Sequence, residues 1–288
     1  MKTGGKINLF LKVTGKRPDH YHELITLFLP LSAPFDTLDL TDGTEGIALT
    51  QNGMPLPDQA ENLVIRAARA YAEAAGIAPA WHFVMNKEIP IAAGLGGGSA
   101  DAALALQLLQ NRYQALSADQ LAQAALSIGA DVPFFLNPVP AVAEGVGEEC
   151  TPLPADVPPL PIVLVNPRFP VSAKWAYQHL SPERIGAPEP GRLEKLTAAL
   201  QNGDCAGVAA GLHNDLAYAL YEKFPLLGIL REFLCANGAL NAEITGSGSS
   251  IYGICPDFAA RDLLADKLRA QFGETLLVYA TSSGAVPA

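Results

Sequence analysis

The chain has 288 residues, 49% of them hydrophobic, and a formal net charge of -10. That much apolar side chain supports a sizeable packed core in one large or two smaller domains and excludes a disordered chain. The acidic balance argues against a broad nucleic-acid or anionic-membrane surface, which needs clustered Lys and Arg, but leaves room for a phosphorylated small molecule held by backbone amides and one or two lysines.

The longest apolar stretches, such as Leu160 to Val165, are strand-length runs, far short of the roughly 18 residues of a spanning helix. The N-terminus lacks the continuous apolar block and small-residue cleavage site of a secretory signal, so a cytoplasmic protein with no membrane partner is expected. Cys150, Cys205, Cys235 and Cys255 are widely spaced, without a Cys-x-x-Cys pair or neighbouring histidines. Neither a zinc site nor a disulfide framework is indicated, and no metal ligands are assigned.

The first strand, Lys6 to Val13, alternates, with Ile7, Leu9, Leu11 and Val13 expected on one face and Lys6, Asn8, Phe10 and Lys12 on the other. Strands follow at Leu24 to Leu31, Thr37 to Leu40, Ile47 to Thr50 and Trp81 to Lys87, in a mixed or antiparallel sheet. Helices are predicted at Glu61 to Ala75, closed by Gly76, at Gly98 to Tyr113, and at Asp119 to Ile128 behind a Ser117/Gln120 capping box. The five prolines between Cys150 and Pro161 end regular structure and mark a domain boundary, set at 1–155 and 156–288. Beyond it the order is strand (Ile162 to Asn166), helices from Ser172 to Ala236, strands Leu240 to Thr245 and Ser250 to Cys255, helix Asp257 to Phe272 and strand Thr275 to Ala280. That is the β-α-β-β-α-β order of a ferredoxin-like unit with a helical insertion, so the class is α+β.

The most informative segment is Pro90-Ile91-Ala92-Ala93-Gly94-Leu95-Gly96-Gly97-Gly98-Ser99-Ala100, which follows a strand and runs into a helix. Glycines let a backbone approach a ligand closely, and the helix behind supplies unpaired N–H groups and a positive dipole end, the chemistry of a phosphate cradle. Ser99 is either a ligand to phosphate or magnesium or a plain N-cap. The loop lacks the Gly-Lys-Ser/Thr ending of a P-loop, and the helix after it leads to another helix at Ser117 rather than to the strand a dinucleotide fold requires.

Other candidates read two ways. Asp131, in Gly129-Ala130-Asp131-Val132-Pro133-Phe134-Phe135, is a catalytic base or a turn former. Lys6 is solvated unless a carboxylate or phosphate meets it. Asp19-His20-Tyr21-His22 suits aromatic and hydrogen-bonding contact with a ring better than metal. Thr245-Gly246-Ser247-Gly248-Ser249-Ser250 is a hairpin turn or a second wall facing the first domain.

Together, the glycine loop, the Lys6-Ile7-Asn8-Leu9 strand and the Thr245 to Ser250 loop resemble the three motifs of the GHMP small-molecule kinases. Asp19-x-Tyr21-His22, Gly129 to Phe135 and His213-Asn214-Asp215-Leu216 are similar to the branch whose acceptor is 4-diphosphocytidyl-2-C-methyl-D-erythritol, and the likeness spans nearly the whole chain. The resemblance implies transfer of the γ-phosphoryl of ATP, with Mg²⁺, to the 2-hydroxyl of that alcohol in the non-mevalonate route to isoprenoid precursors. It implies a first domain similar to ribosomal protein S5 domain 2, joined to the ferredoxin-like one.

By the same resemblance Asp131 is the general base and Lys6 its partner, polarising the hydroxyl and holding the aspartate ionised. Pro90 to Ala100, with Lys87 just before them, lie along ATP. Asn8, Tyr21, His22 and Tyr177 meet the substrate, with Tyr21, His22 and Tyr177 at its cytosine. Three departures stand out: Gly4-Gly5 where Pro-Ala is usual, expected to loosen the start of the strand; His20 for Gly, expected to crowd or extend the cytosine site; and Ala100 for a second Ser. Monomer and weak homodimer are equally compatible.

Overall fold

The protein is described by a computed structural model covering residues 1–55, 62–154, 156–181, 183, 189–284 and 286. The first sheet is built on β1 (Lys2–Lys16) and β2 (His22–Asp42), paired antiparallel, and continues through β3 (Gly46–Gly53) and β4 (Ala80–Lys87) in the order β3-β4-β2-β1. A short hairpin of β5 (Ala141–Glu144) and β6 (Glu149–Pro152) pairs onto β2.

Two predicted segments, Leu24 to Leu31 and Thr37 to Leu40, are parts of the single 21-residue β2. Its partner shifts from Gly4↔Phe35 to Lys6↔Pro30, so Pro34 sits in an irregularity that the ladder passes over. Nor do Gly4 and Gly5 loosen the strand. β1 runs through both, and a Cβ on Gly4 would stand 2.1 Å from the Leu31 carbonyl oxygen, so the close pairing requires a glycine.

The strict alternation expected of β1 also fails, for an instructive reason. A register shift between Asn8 and Phe10 inserts one residue, so Asn8 pairs with Phe28 but Phe10 pairs with Leu27. One extra residue reverses the facing of all that follows. Phe10 joins Ile7 and Leu9 in the core, and Leu11 and Val13 turn to the side of Lys6 and Asn8.

Helices α1 (Leu63–Ala75), α2 (Gly97–Tyr113), α3 (Ala118–Ile128) and α4 (Val132–Leu136) pack on this sheet around Tyr71, Trp81, Phe83 and Phe135. Asn62 caps α1 through its side chain, and the capping box at Ser117 makes both of its bonds. The predicted start of α1 at Glu61 lies outside the described residues, as does residue 155 at the predicted boundary.

The second sheet holds β7 (Pro161–Asn166), β9 (Asn241–Ile244), β10 (Ile251–Ile254) and β11 (Leu277–Ser282) in the order β11-β7-β10-β9, every pair antiparallel. This is the expected ferredoxin-like arrangement, with α10 (Phe258–Phe272) in the second crossover. The first crossover carries α5 (Ala173–Gln178), α6 (Arg192–Gln201), α7 (Cys205–Gly211), α8 (Ala217–Lys223) and α9 (Pro225–Ala236). Between α7 and α8 the chain returns to the first sheet, where β8 (His213–Asn214) pairs parallel with β1, a link the periodicity had not suggested.

The sheets share a core. Ile7, Leu9, Phe10, Leu27 and Leu29 pack with Leu160, Ile162, Leu164, Tyr252 and Ile254, and the Tyr252 hydroxyl donates to the Asn8 carbonyl at 2.8 Å. Burial of this kind stabilises by about 25 cal/mol per Å² of apolar surface, and here it fixes β1 between both halves.

Candidate active site

The glycine loop is held from behind. Ala92 O accepts from Val171 N at 3.1 Å, Ala93 O from Ser250 N at 3.1 Å, Gly94 O from Thr245 Oγ1 at 3.2 Å, and Leu95 O from Lys6 N at 2.9 Å. In a trans peptide the N–H points opposite to the C=O, so tying four successive carbonyls to the protein turns amides the other way. The N–H groups of residues 91–99 have no protein acceptor among the described residues. They border a cavity of about 440 Å³ lined by Pro90 through Ser99 with Asn62, Leu63, Lys87 and Asp101. A row of free amides at the start of a 17-residue helix is an anion site. Gly94 is indispensable to it: φ is 77°, and a Cβ would meet Thr245 O at 2.1 Å.

Helix α2 begins one residue earlier than expected, with Gly96 as its cap, so Ser99 is not the N-cap and its hydroxyl is free to meet a ligand. Ala100 does not belong with the loop. It is buried in the core, its N–H bonds Gly96 O at 2.9 Å, and the cavity-facing run ends at Ser99. Lys87 lies on the cavity floor, its ammonium held by Asp101 Oδ2 at 2.7 Å and by Asp36.

Lys6 and Asp131 meet where the loop turns. The Lys6 ammonium donates to Asn8 Oδ1 at 2.7 Å and to Gly94 O at 3.4 Å, lies 4.9 Å from the centre of the Phe28 ring, and stands 3.8 Å from Asp131 Oδ2. Asn8 is oriented in turn, giving its amide to Thr26 Oγ1 at 2.8 Å while its backbone N–H reaches Thr245 Oγ1 at 3.1 Å. Burial pushes the Lys6 pKa below the usual lysine range, and Asp131 opposes that shift. Asp131 stands at the cap position of α4 yet makes no capping bond, so the turn-forming role gives no account of its carboxylate.

A second cavity, of about 1350 Å³, is lined by both members of this pair. Gly94 and Gly96 line both cavities, so Lys6 and Asp131 mark their junction. Within it His22 stacks on Tyr177, with ring centroids 5.2 Å apart and planes 18° from parallel. Burial, then Lys16, lowers the His22 pKa; burial, then Asp131, raises that of Tyr177. Both rings are therefore uncharged at neutral pH. Tyr21 is 64% exposed at the cavity mouth, leaving its ring free to close on a ligand. His20 takes the left-handed conformation, φ 72°, which is why a glycine suits that position.

Loop 245–250 proves to be more than a hairpin turn. Thr245 and Ser250 bind the glycine loop, and Gly246 and Ser247 line the larger cavity. The 213–216 motif braces the same corner. Asn214 Nδ2 donates to Ile244 O and Gly246 O, while Asp215 accepts from Val13 N at 2.7 Å and from His213 at 2.6 Å. Sequence reasoning missed Asn62, Leu63, Asp36 and Asp101. Their available signals were a capping Asn ahead of an amphipathic helix and single aspartates inside otherwise apolar segments.

Among the described residues no cluster of three or more His, Cys, Asp and Glu could hold a metal ion, and no helix is long and apolar enough to cross a membrane.

Comparison with known proteins agrees with this geometry. The GHMP kinases N terminal domain matches residues 62–137 and the GHMP kinases C terminal domain matches residues 196–274. A 4-diphosphocytidyl-2-C-methyl-D-erythritol kinase of Solidesulfovibrio magneticus is 42% identical over 86% of each chain, and that of Moorella thermoacetica is 38% identical over 95% of each. A crystal structure of 4-(cytidine 5'-diphospho)-2C-methyl-D-erythritol kinase superposes with a TM-score of 0.82 at 36% identity, covering 99% of this chain and 100% of the other. The mevalonate kinase of L. major, in complex with R-mevalonate, has a TM-score of 0.76 at 16% identity, covering 100% of this chain and 96% of its own, and shares the fold.

Proposed function

The chain belongs to the GHMP kinases, in the family of the 4-diphosphocytidyl-2-C-methyl-D-erythritol kinases, and from that premise we propose that it transfers the γ-phosphoryl of ATP to the 2-hydroxyl of 4-diphosphocytidyl-2-C-methyl-D-erythritol, a step of the non-mevalonate route to isoprenoid precursors. One observation carries the reading: the Lys6–Asp131 pair, 3.8 Å apart, at the junction of an amide-lined cavity and a larger cavity with an aromatic end.

In this mechanism the N–H groups of residues 91–99 hold the ATP phosphates, with Ser99 Oγ beside them. The cytosine meets Tyr21, His22 and Tyr177 in the larger cavity, and the methylerythritol reaches Lys6, Asn8 and Asp131. The hydroxyl gives its proton to Asp131 as its oxygen bonds to the γ-phosphorus. The bond from that phosphorus to the bridging oxygen breaks, and ADP leaves. Phosphoryl transfer asks mainly for positioning and charge stabilisation, which the amides and the Lys6 ammonium supply.

Mg²⁺ usually binds through substrate phosphates and one or two protein oxygens, and Ser99 Oγ, in the amide-lined cavity, would supply one. When bound it would neutralise phosphate charge. We assign the phosphate loop and base to a domain of residues 1–155 and the supporting wall to 156–288.

Phosphorylation of the alcohol by ATP and Mg²⁺, followed by ³¹P NMR, tests the reading, with CDP as competitor. A new phosphomonoester signal and competition by CDP support it. ATP binding without turnover of this alcohol would overturn the substrate, and turnover indifferent to CDP would overturn the cytosine site.

A further inference from the structure

Beneath the glycine loop lies a buried ion cluster that no step above uses. Lys87 ends β4, Asp36 comes from β2 and Asp101 from α2, with 2%, 0% and 4% of their surfaces exposed. The Lys87 ammonium is bound by Asp36 and, at 2.7 Å, by Asp101 Oδ2. The remaining oxygen of Asp36 accepts from Glu88 N at 2.6 Å and Ile89 N at 2.9 Å, the two residues before Pro90. One carboxylate thus holds the beginning of the loop, while the ammonium carries the connection across to the helix at its end. The ammonium lies directly under that helix: a Cβ built on Gly97 would stand 3.1 Å from Lys87 Nζ.

Such a cluster is costly. Desolvating three charges is rarely repaid relative to well-packed apolar side chains, so it is weak evidence of a purely stabilising role. Burial acts to lower the Lys87 pKa, but Asp101 and Asp36 outweigh it and leave the pKa raised, so the cation persists. Burial pushes the Asp101 carboxyl well above the usual carboxylate range, against the pull of Lys87 and with the help of Asp36.

We propose that Asp36 and Asp101 are positioning residues for the nucleotide: through Lys87 they lock the two ends of the glycine loop to each other and so set the affinity for a nucleoside triphosphate. This rests on the reading of the loop as the ATP site. Charge-assisted hydrogen bonds of this kind are worth about tenfold to a hundredfold in an equilibrium. Asp36→Ala and Asp101→Ala are therefore expected to raise the ATP Kd and KM at least about tenfold while leaving the alcohol KM within about twofold.

Asp101→Asn keeps the size of the side chain and an oxygen for Lys87, so it should rescue most of that loss. The experiment is calorimetric titration of the full chain with ATP, paired with steady-state kinetics on both substrates. Variants that bind ATP like wild type, or that raise both KM values equally, would overturn the inference. So would a loss confined to Tm and kcat, the mark of a structural role alone. Should Asp36→Ala not fold, Asp101→Ala decides the matter by the same readouts. A wild type that binds no ATP would instead overturn the reading of the loop.

Discussion

Replacing Asp131 with Asn keeps the side chain's size and removes both its charge and its ability to accept a proton. Loss of a general base costs about 10²- to 10⁴-fold in rate, or about 3–5 kcal/mol of transition-state stabilisation. Lys6→Met removes the ammonium, and the geometry says how far the two losses overlap. At 3.8 Å two unit charges interact by about 4 kcal/mol in an effective dielectric near 20. A third of the Asp131 side chain is open to solvent, so screening reduces the figure, and a coupling of about 1–3 kcal/mol is expected. The double variant should therefore retain about ten- to a hundredfold more kcat than the product of the single losses predicts. A coupled assay for ADP release measures all four proteins, with calorimetry checking that ATP affinity is little changed. Retention of kcat by Asp131→Asn within about threefold would refute the base. Losses that add to within about 0.5 kcal/mol would refute the coupled pair.

Three further outcomes follow from single residues. Gly94→Ala places a Cβ 2.1 Å from Thr245 O at φ 77°, so the loop must move; loss of calorimetric ATP binding is expected, and unchanged affinity would contradict the amide cradle. The alkaline limb of kcat should begin below the ordinary lysine pKa of 10.5, because burial lowers that of Lys6. Activity falls as pH rises through the lowered value, whereas this residue's share of stability rises between it and 10.5, since there the unfolded chain binds the proton more tightly. A pH–rate profile whose alkaline limb begins only above 10.5 would argue against a catalytic ammonium with a lowered pKa. Finally, His20→Gly relieves a non-glycine residue at φ 72° and should stabilise by about 0.5–1 kcal/mol, a Tm gain of about 1–4 °C; calorimetric scanning would show it, and a lower Tm would mean that the imidazole makes compensating contacts.

Periodicity read well where one face of an element is buried and the other is not. The capping box at Ser117, the helix closed by Gly76 and the ferredoxin-like strand order all rest on such local chemistry, and all appear in the fold. It failed on β1, where both faces are buried and a bulge reverses the alternation, so that Phe10 and Leu11 exchange sides. The glycine loop was legible because close backbone approach demands glycine in the sequence itself. Asp36 and Asp101 were not, since each becomes meaningful only when β2, β4 and α2 meet, contacts 14 to 53 residues apart in the chain. The return of residues 213–214 to the first sheet escaped for the same reason: a two-residue strand has no period to detect.

The position of β1 accounts for the place of the proposed reaction. Its Lys6 N–H fixes Leu95 O, its Lys6 ammonium meets Asp131, its Asn8 bridges to Thr245, and beyond the bulge Leu11 and Val13 form the apolar wall of the larger cavity. Without the extra residue, the charged Lys12 rather than Leu11 would face that cavity beside Lys6 and Asn8. In the proposed mechanism the bulge lets one strand present a cation to the reacting oxygen and hydrocarbon to the rest of the substrate. Because the same strand is clamped between both sheets and paired to β8, the lysine proposed for catalysis has little freedom to drift from the loop. That rigidity is what in-line phosphoryl transfer requires, since its catalysis depends on holding two substrates in fixed register.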